Sequence, residues 1–187
     1  MQVLRGADAA RTRWRNDGGW TREILREPAT GDGPFGWRVS IAEVESDGPF
    51  SAFDGYDRVL VLLAGDGMDL HFTDTGSTVH LRPHSRLVRF AGEAPVHAAL
   101  VDGPTTDFNL IWRRDLFDVS VLAHLPMTEP PIVADGVRLG VYVIDGVVQS
   151  QRGVIGGPGD TVVGEEGEVL QIRCTGRSIH FQVAPRQ

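Results

Sequence analysis

Short apolar runs of strand character recur about every 8–12 residues along this chain, separated by clusters of Gly, Pro, Asn and Asp, and that rhythm restricts the fold to a β-sandwich or barrel. The runs are Thr21–Leu25, Trp37–Val44, Arg58–Ala64, Met68–Phe72, Thr78–Leu81, Leu87–Phe90, Val96–Val101 and Phe108–Trp112, and the pattern continues from Arg113 to Leu125. The 23 glycines and 11 prolines supply the turns. Asn16-Asp17-Gly18-Gly19 predicts a hairpin turn, because these residues tolerate positive φ. Arg58–Ala64 could be a helix by periodicity alone, but its length, bounding glycines and β-branched content favour a buried strand. Gly65-Asp66-Gly67 then predicts a hairpin returning through Met68–Phe72. In the last third, Gly140–Val148 reads as a hairpin about Asp145-Gly146, followed by strands over 159–163, 169–174 and 178–183. Residues 126–131 are the expected crossing between halves, and Ala7–Arg11 can form one helical turn. A weak repeat relates Leu60–Leu70 to Val141–Val148 and Phe90–Glu93 to Gly159-Asp160. The expectation is an all-β protein of two packed barrels, residues 1–125 forming an N-terminal barrel with a ligand pocket and 126–187 a smaller C-terminal half.

Composition narrows the partners. A net charge of −7 and a pI near 5.3 argue against a nucleic-acid surface. All 18 basic residues are Arg, the better side chain for gripping a carboxylate through paired hydrogen bonds. The single cysteine, Cys174, excludes an internal disulfide framework and fits a reducing compartment. It lies in the alternating run Val169–Cys174, which predicts a buried structural thiol. The start of the chain has no apolar core of signal-peptide length, and no apolar run reaches the ~18 residues of a membrane span. A cytoplasmic protein without membrane partners is expected.

Polar and apolar residues alternate through Trp37–Ala42, placing Arg38 and Ser40 on one strand face and Trp37, Val39 and Ile41 on the other. Arg22, Arg38, Arg58 and Arg113 each follow or interrupt a strand-like apolar segment. With Asn16, Ser40, Asp107 and Asn109 they can line a polar pocket in which guanidinium groups take a carboxylate and amides orient it. The alternative is that the arginines pair with Glu23, Glu43, Asp57 and Asp107 to hold loops, and the two readings stand level. Arg22 beside Glu23 and Arg58 beside Asp57 point to opposite faces of a strand, so neither pair satisfies itself. Trp14, Trp20, Trp37, Phe50, Phe53 and Trp112 read as core, with Trp14 and Trp37 also able to stack on a planar ligand. No His-x-His occurs; His71 and His80 are nine apart and His84 and His97 are isolated, so neither a metal nor another cofactor is expected. Ser51 has no Gly-x-Ser-x-Gly context, and Gly65-Asp66-Gly67 lacks the Lys and helix of a phosphate loop.

Trp14-Arg15-Asn16-Asp17-Gly18-Gly19-Trp20-Thr21-Arg22-Glu23, Trp37–Ala42, Asp47-Gly48-Pro49-Phe50-Ser51 and Asp107-Phe108-Asn109 together resemble the HutD/Ves family, over roughly residues 10–125. The resemblance implies a bicupin (cupin-like β-barrel or jelly roll) fold and an association with bacterial histidine utilisation. It implies ligand sensing or modulation, with urocanate or a formylated or formimino glutamate as the small carboxylate, and brings no established reaction. The family pattern has Asn followed by three glycines. Asp17 replaces the first, which the turn tolerates but which adds a negative charge near the expected pocket. Two alternatives complete the expectation. One is a metal-free or weakly metal-dependent lyase, isomerase or hydrolase using Glu43 or His71 as acid–base group. The other is an interaction module presenting edge strands, as in a homodimer.

Overall fold

The alternating and β-branched runs become strands almost wherever the rhythm places them. The computed structural model describes residues 1–29, 33–83, 87–127 and 136–186. In chain order the strands are β1 (Gln2–Leu4), β2 (Arg11–Arg13), β3 (Gly19–Glu27), β4 (Trp37–Val44), β5 (Gly48–Pro49) and β6 (Tyr56–Ala64). Then come β7 (Met68–Phe72), β8 (Ser77–Leu81), β9 (Val88–Ala91), β10 (Val96–Leu100), β11 (Thr105–Arg113) and β12 (Phe117–Met127). The last are β13 (Arg138–Val143), β14 (Val147–Ser150), β15 (Gly153–Gly156), β16 (Thr161–Val163) and β17 (Ile172–Pro185). The helical content among the described residues is one 3-10 turn, Gly6–Asp8, so the fold is all-β. None of the described helices is long and apolar enough to cross a membrane.

Two compact units emerge, residues 10–115 and residues 1–9 with 116–187. In the first, an antiparallel six-stranded sheet in the order β2-β3-β4-β11-β6-β9 accompanies a four-stranded sheet in the order β5-β10-β7-β8. Val44, Leu60, Leu62 and Val88 of the larger sheet pack against Met68, Leu70, Leu81, Val96 and Ala98 of the smaller. Each fully covered large side chain contributes about 1.5–3 kcal/mol to holding the two sheets together. The predicted turn at Asn16–Gly19 forms: β2 and β3 pair antiparallel with Arg13 opposite Trp20, and Asp17 takes φ +55°.

Gly65-Asp66-Gly67 is not a hairpin turn. The neighbours of β6 are β11 and β9, whereas β7 pairs with β10 and β8 in the other sheet. The segment is a corner that carries the chain from sheet to sheet. Gly67 makes it possible, with φ +113° and the position of a Cβ only 2.1 Å from the Leu81 carbonyl oxygen.

The second unit holds one seven-stranded antiparallel sheet. β1 pairs with β16, and β12 runs along β17, with Val119 opposite Val183 and Val121 opposite Phe181. Asp145-Gly146 is not a hairpin either. β13 pairs with Arg177-flanking residues 178–183 of β17 and β14 with residues 172–175, so both lie successively along the same partner. Three residues, 144–146, stand opposite two, 176–177, which is a bulge. Arg177 pins it, its N–H donating to Asp145 Oδ1 at 2.7 Å and its Nε to Oδ2 at 2.6 Å. For the same reason the two strands expected over 169–174 and 178–183 merge into the single β17. Cys174 is buried and free, packed with Val148 and Ile172. Of the expected crossing at 126–131, residues 128–131 lie outside the described residues.

Candidate functional site

Strand alternation and register bring the polar residues of the first unit together. On one face of the six-stranded sheet, Arg38 of β4 stands opposite Ile111 of β11, which stands opposite Arg58 of β6. The next row is Ser40, Asn109 and Leu60, and the next Ala42, Asp107 and Leu62. Directly opposed residues are about 5 Å apart, so these side chains share one neighbourhood. Arg38, Ser40, Ala42, Arg58, Asn109 and Ile111 form the wall of a cavity of about 690 Å³, completed by Trp14 and Asn16 from the β2–β3 hairpin and by Phe50 and Phe53 after β5. That volume suits a small organic ligand.

Arg58 is almost wholly buried, at 8% exposure. Its Nε and Nη2 both donate to Asn109 Oδ1, at 2.8 and 2.5 Å, while its guanidinium lies 4.4 Å from the Phe50 ring centre and 5.6 Å from that of Phe90. Asn109 Nδ2 in turn donates to Asp107 Oδ2 at 2.6 Å. Asp107 is completely buried and its Oδ1 has no hydrogen-bond partner. Burial pushes its carboxyl up to about 7, with Arg58 and Asn109 pulling back, and burial lowers Arg58 to about 10 against the attraction of Asp107.

Arg38 is held differently. Its guanidinium sits 4.9 Å from the Phe35 ring centre and 5.4 Å from that of Phe53. The side chain is 17% exposed; among the described residues its Nε makes no hydrogen bond and its one ion pair is a long 3.9 Å approach to Glu23. Burial lowers its proton affinity, Glu23 opposing this and Arg26 adding to it. Aromatic faces stabilise such a cation by about 0.5–2 kcal/mol, less than the cost of withdrawing a charge from water. Arg38 is a largely buried cation whose Nε lacks an acceptor among the described residues.

Of the eight residues singled out from sequence, Asn16, Arg38, Ser40, Arg58 and Asn109 line the cavity, and Asp107 lies in the next row, behind Asn109. Arg22 and Arg113 do not join them. Arg22 shares the opposite sheet face with Ile41 and bonds through Nε to Glu43 Oε1 at 3.0 Å. Arg113 pairs with Asp115 at 2.8 Å. For these two, ion pairing is the structural role on display. Glu43, held by Arg11 and Arg22 on that opposite face, and His71, exposed and 2.9 Å from Thr78 Oγ1, also lie off the cavity wall, so neither is placed for the acid–base role considered for it. Trp37 and Trp112 are buried at 2% and 1% exposure and do not line the cavity, leaving Trp14 as the stacking candidate. The Asp17 side chain is 83% exposed and 3.3 Å from Arg13, so its charge sits in solvent and not in the wall. Phe50 and Phe53 read as core but serve as platforms for Arg58 and Arg38; their place in Asp47–Phe53, between the two arginine strands, is the only sequence signal for it. Among the described residues no group of three or more His, Cys, Asp or Glu is arranged to hold a metal ion, and His84 lies outside them.

The buried carboxyl makes a stability prediction. Asp107 keeps its proton to about pH 7 when folded and releases it near the usual 3.8 when unfolded. Between those values the folded state binds the extra proton, so stability falls as pH rises, by up to about 1.4 kcal/mol per unit. Burial lowers the proton affinity of His180, which works in the opposite direction below its usual 6.5. Comparing urea unfolding of the wild type with Asp107→Asn isolates the first effect. The variant gains stability relative to wild type on going from about pH 5 to pH 7, and a constant difference would refute it.

Residues 6–181 match the family model described as HutD. The chain belongs to the HutD family. A Pseudomonas putida relative, described as an uncharacterized 21.2 kDa protein in the hutC 3' region, is 44% identical over 112 residues, 60% of this chain. The match spans 58% of that relative's length. Protein Ves of Cronobacter sakazakii is 38% identical over 138 residues, 73% of this chain and 72% of Ves. The structure of HutD from Pseudomonas fluorescens SBW25, described with a formate condition, superposes with a TM-score of 0.84 at 31% identity, covering 100% of this chain and 99% of that one. Escherichia coli pirin YhhW, solved with nickel(II), matches at a TM-score of 0.69 and 10% identity over 100% of this chain and 99% of its own, a likeness of fold alone.

Proposed function

We propose that this HutD-family chain binds a small carboxylate between Arg38 and Arg58 and, through that ligand, modulates or senses histidine catabolism. The observation that carries the reading is Arg38, a largely buried guanidinium whose Nε has no partner and whose nearest carboxylate stands 3.9 Å away. An incoming carboxylate supplies the missing acceptor in a site of low polarity, where a charge-assisted pair is strong. Arg58 adds a second cation held in place by Asn109, and Trp14 offers a flat apolar surface for a planar ligand. The hutC 3' region in the description of the Pseudomonas putida relative supports the link to histidine catabolism. Within this reading the two units are two cupin-like barrels of a bicupin acting in the cytoplasm.

Calorimetry with urocanate, formylglutamate and formiminoglutamate tests the proposal. At least one of them releases heat with a 1:1 stoichiometry. Silence from all three against a folded sample refutes the ligand assignment.

A further inference from the structure

Asn109 links two groups with different access to the cavity. Its Oδ1 takes two N–H donors of Arg58 at the wall, and its Nδ2 holds Asp107, which no solvent reaches. Among the described residues Asp107 Oδ1 has no hydrogen-bond partner. The charged groups on its face of the sheet are Arg113 further along β11, Arg58 from β6, Arg38 from β4 and, one strand further, Glu23 and Arg26 of β3, opposite Ser40 and Arg38. Arg13 and Arg15 border the cavity at the β2–β3 hairpin, the Arg13 guanidinium being held by Asp17 and Glu45. The strands of the opposing sheet present Met68, Leu70 and Ala98, and alternation turns Asp69, His71, His80 and His97 to the other side. β9 presents Val88 and Phe90, and alternation turns Arg89 away to Asp57.

We propose that carboxylate binding in the cavity is coupled to uptake of a proton by Asp107, so that the site holds its ligand more tightly as pH falls through neutrality. The inference rests on the carboxylate reading above. An ionised Asp107 and a bound carboxylate compete for the charge of Arg58, and two like charges in a site of low polarity disfavour one another. A neutral Asp107 leaves the whole guanidinium charge to the ligand, and by linkage the bound anion strengthens the hold of Asp107 on its proton. The proton comes from the solvent and is returned when the ligand leaves. Burial of Asp107 puts this exchange near neutral pH and not in the usual carboxylate range.

Formate is a suitable probe because it stays ionised from about pH 5.5 to pH 8.5, so any pH dependence belongs to the protein. Titrations of the full chain are followed by the Arg58 Nε–H nuclear magnetic resonance signal. Formate affinity is expected to be about tenfold weaker at the upper end of that range than at the lower, and Asp107→Asn to flatten the profile. A flat wild-type profile with clear binding overturns the coupling and leaves the carboxylate site standing. A profile that survives unchanged in a folded Asp107→Asn variant places the proton elsewhere and overturns it as well. No formate-induced shift at any pH overturns both the coupling and the site.

Discussion

Replacing Arg38 by methionine is expected to weaken carboxylate binding by about 100-fold while leaving the urea midpoint of the free protein unchanged or raised. The two halves of this result come from one structural fact. In the free protein the guanidinium is largely buried, its Nε is unpartnered, and its ion pair with Glu23 is 3.9 Å long. Little is lost from the folded state when the charge goes. Methionine keeps the length of the side chain and makes favourable sulfur contacts with rings such as Phe35 and Phe53, offsetting the cation–π attraction it replaces. The bound state loses a charge-assisted pair in a water-poor site, about 2–5 kcal/mol, and the lower end of that range is already more than tenfold. Calorimetry and urea unfolding on the same preparation check both halves. A variant that binds as tightly as the wild type would remove Arg38 from the site. One that loses several kcal/mol of stability would make it a structural residue.

Gly146→Ala is the largest stability loss we expect, about 3 kcal/mol or more. Gly146 has φ +79°, and a Cβ there falls 1.7 Å from the Thr175 carbonyl oxygen. Because that oxygen belongs to β17, which carries β12, β13 and β14, the backbone cannot move aside without disturbing the middle of the sheet. Gly153 is the natural comparison, since it also has positive φ, +110°, but nothing lies within 4 Å of its Cβ position. Gly153→Ala therefore reports backbone strain alone, about 1 kcal/mol. Equal losses in urea unfolding would mean that the close approach in the bulge is not rigid. Had Asp145-Gly146 been a hairpin tip, the two substitutions would behave alike.

Strand positions were legible because alternation and turn residues act locally. Cys174, the Asn16–Gly19 hairpin and the two-faced character of Trp37–Ala42 all followed from such patterns. The face that becomes a cavity was harder to see. Trp37 and Val39 are 2% and 0% exposed on one side of β4, and Ser40 and Ala42 are 2% and 4% exposed on the other, so hydropathy alone does not separate a core face from a ligand face. The same ambiguity made Arg22 and Arg113 look equivalent to Arg38 and Arg58. Register divided Arg22 from Arg38, setting Arg22 opposite Ile41 and Arg38 opposite Ile111, while Arg113 shares the face of Ile111 but lies at the end of β11, off the cavity and paired with Asp115.

By itself, then, the order of residues determined that this chain would be all strands and sharp turns, and that arginines and amides would interrupt its apolar runs. Which strands lie side by side was decided only by the folded whole: Gly65-Asp66-Gly67 changes sheets and Asp145-Gly146 bulges, although both are written in hairpin residues. The physical reason is range. A turn propensity is set by a few neighbouring atoms, whereas strand pairing and the meeting of Asp107, Asn109, Arg58 and Arg38 depend on packing between residues up to dozens of positions apart, for which no local signal exists.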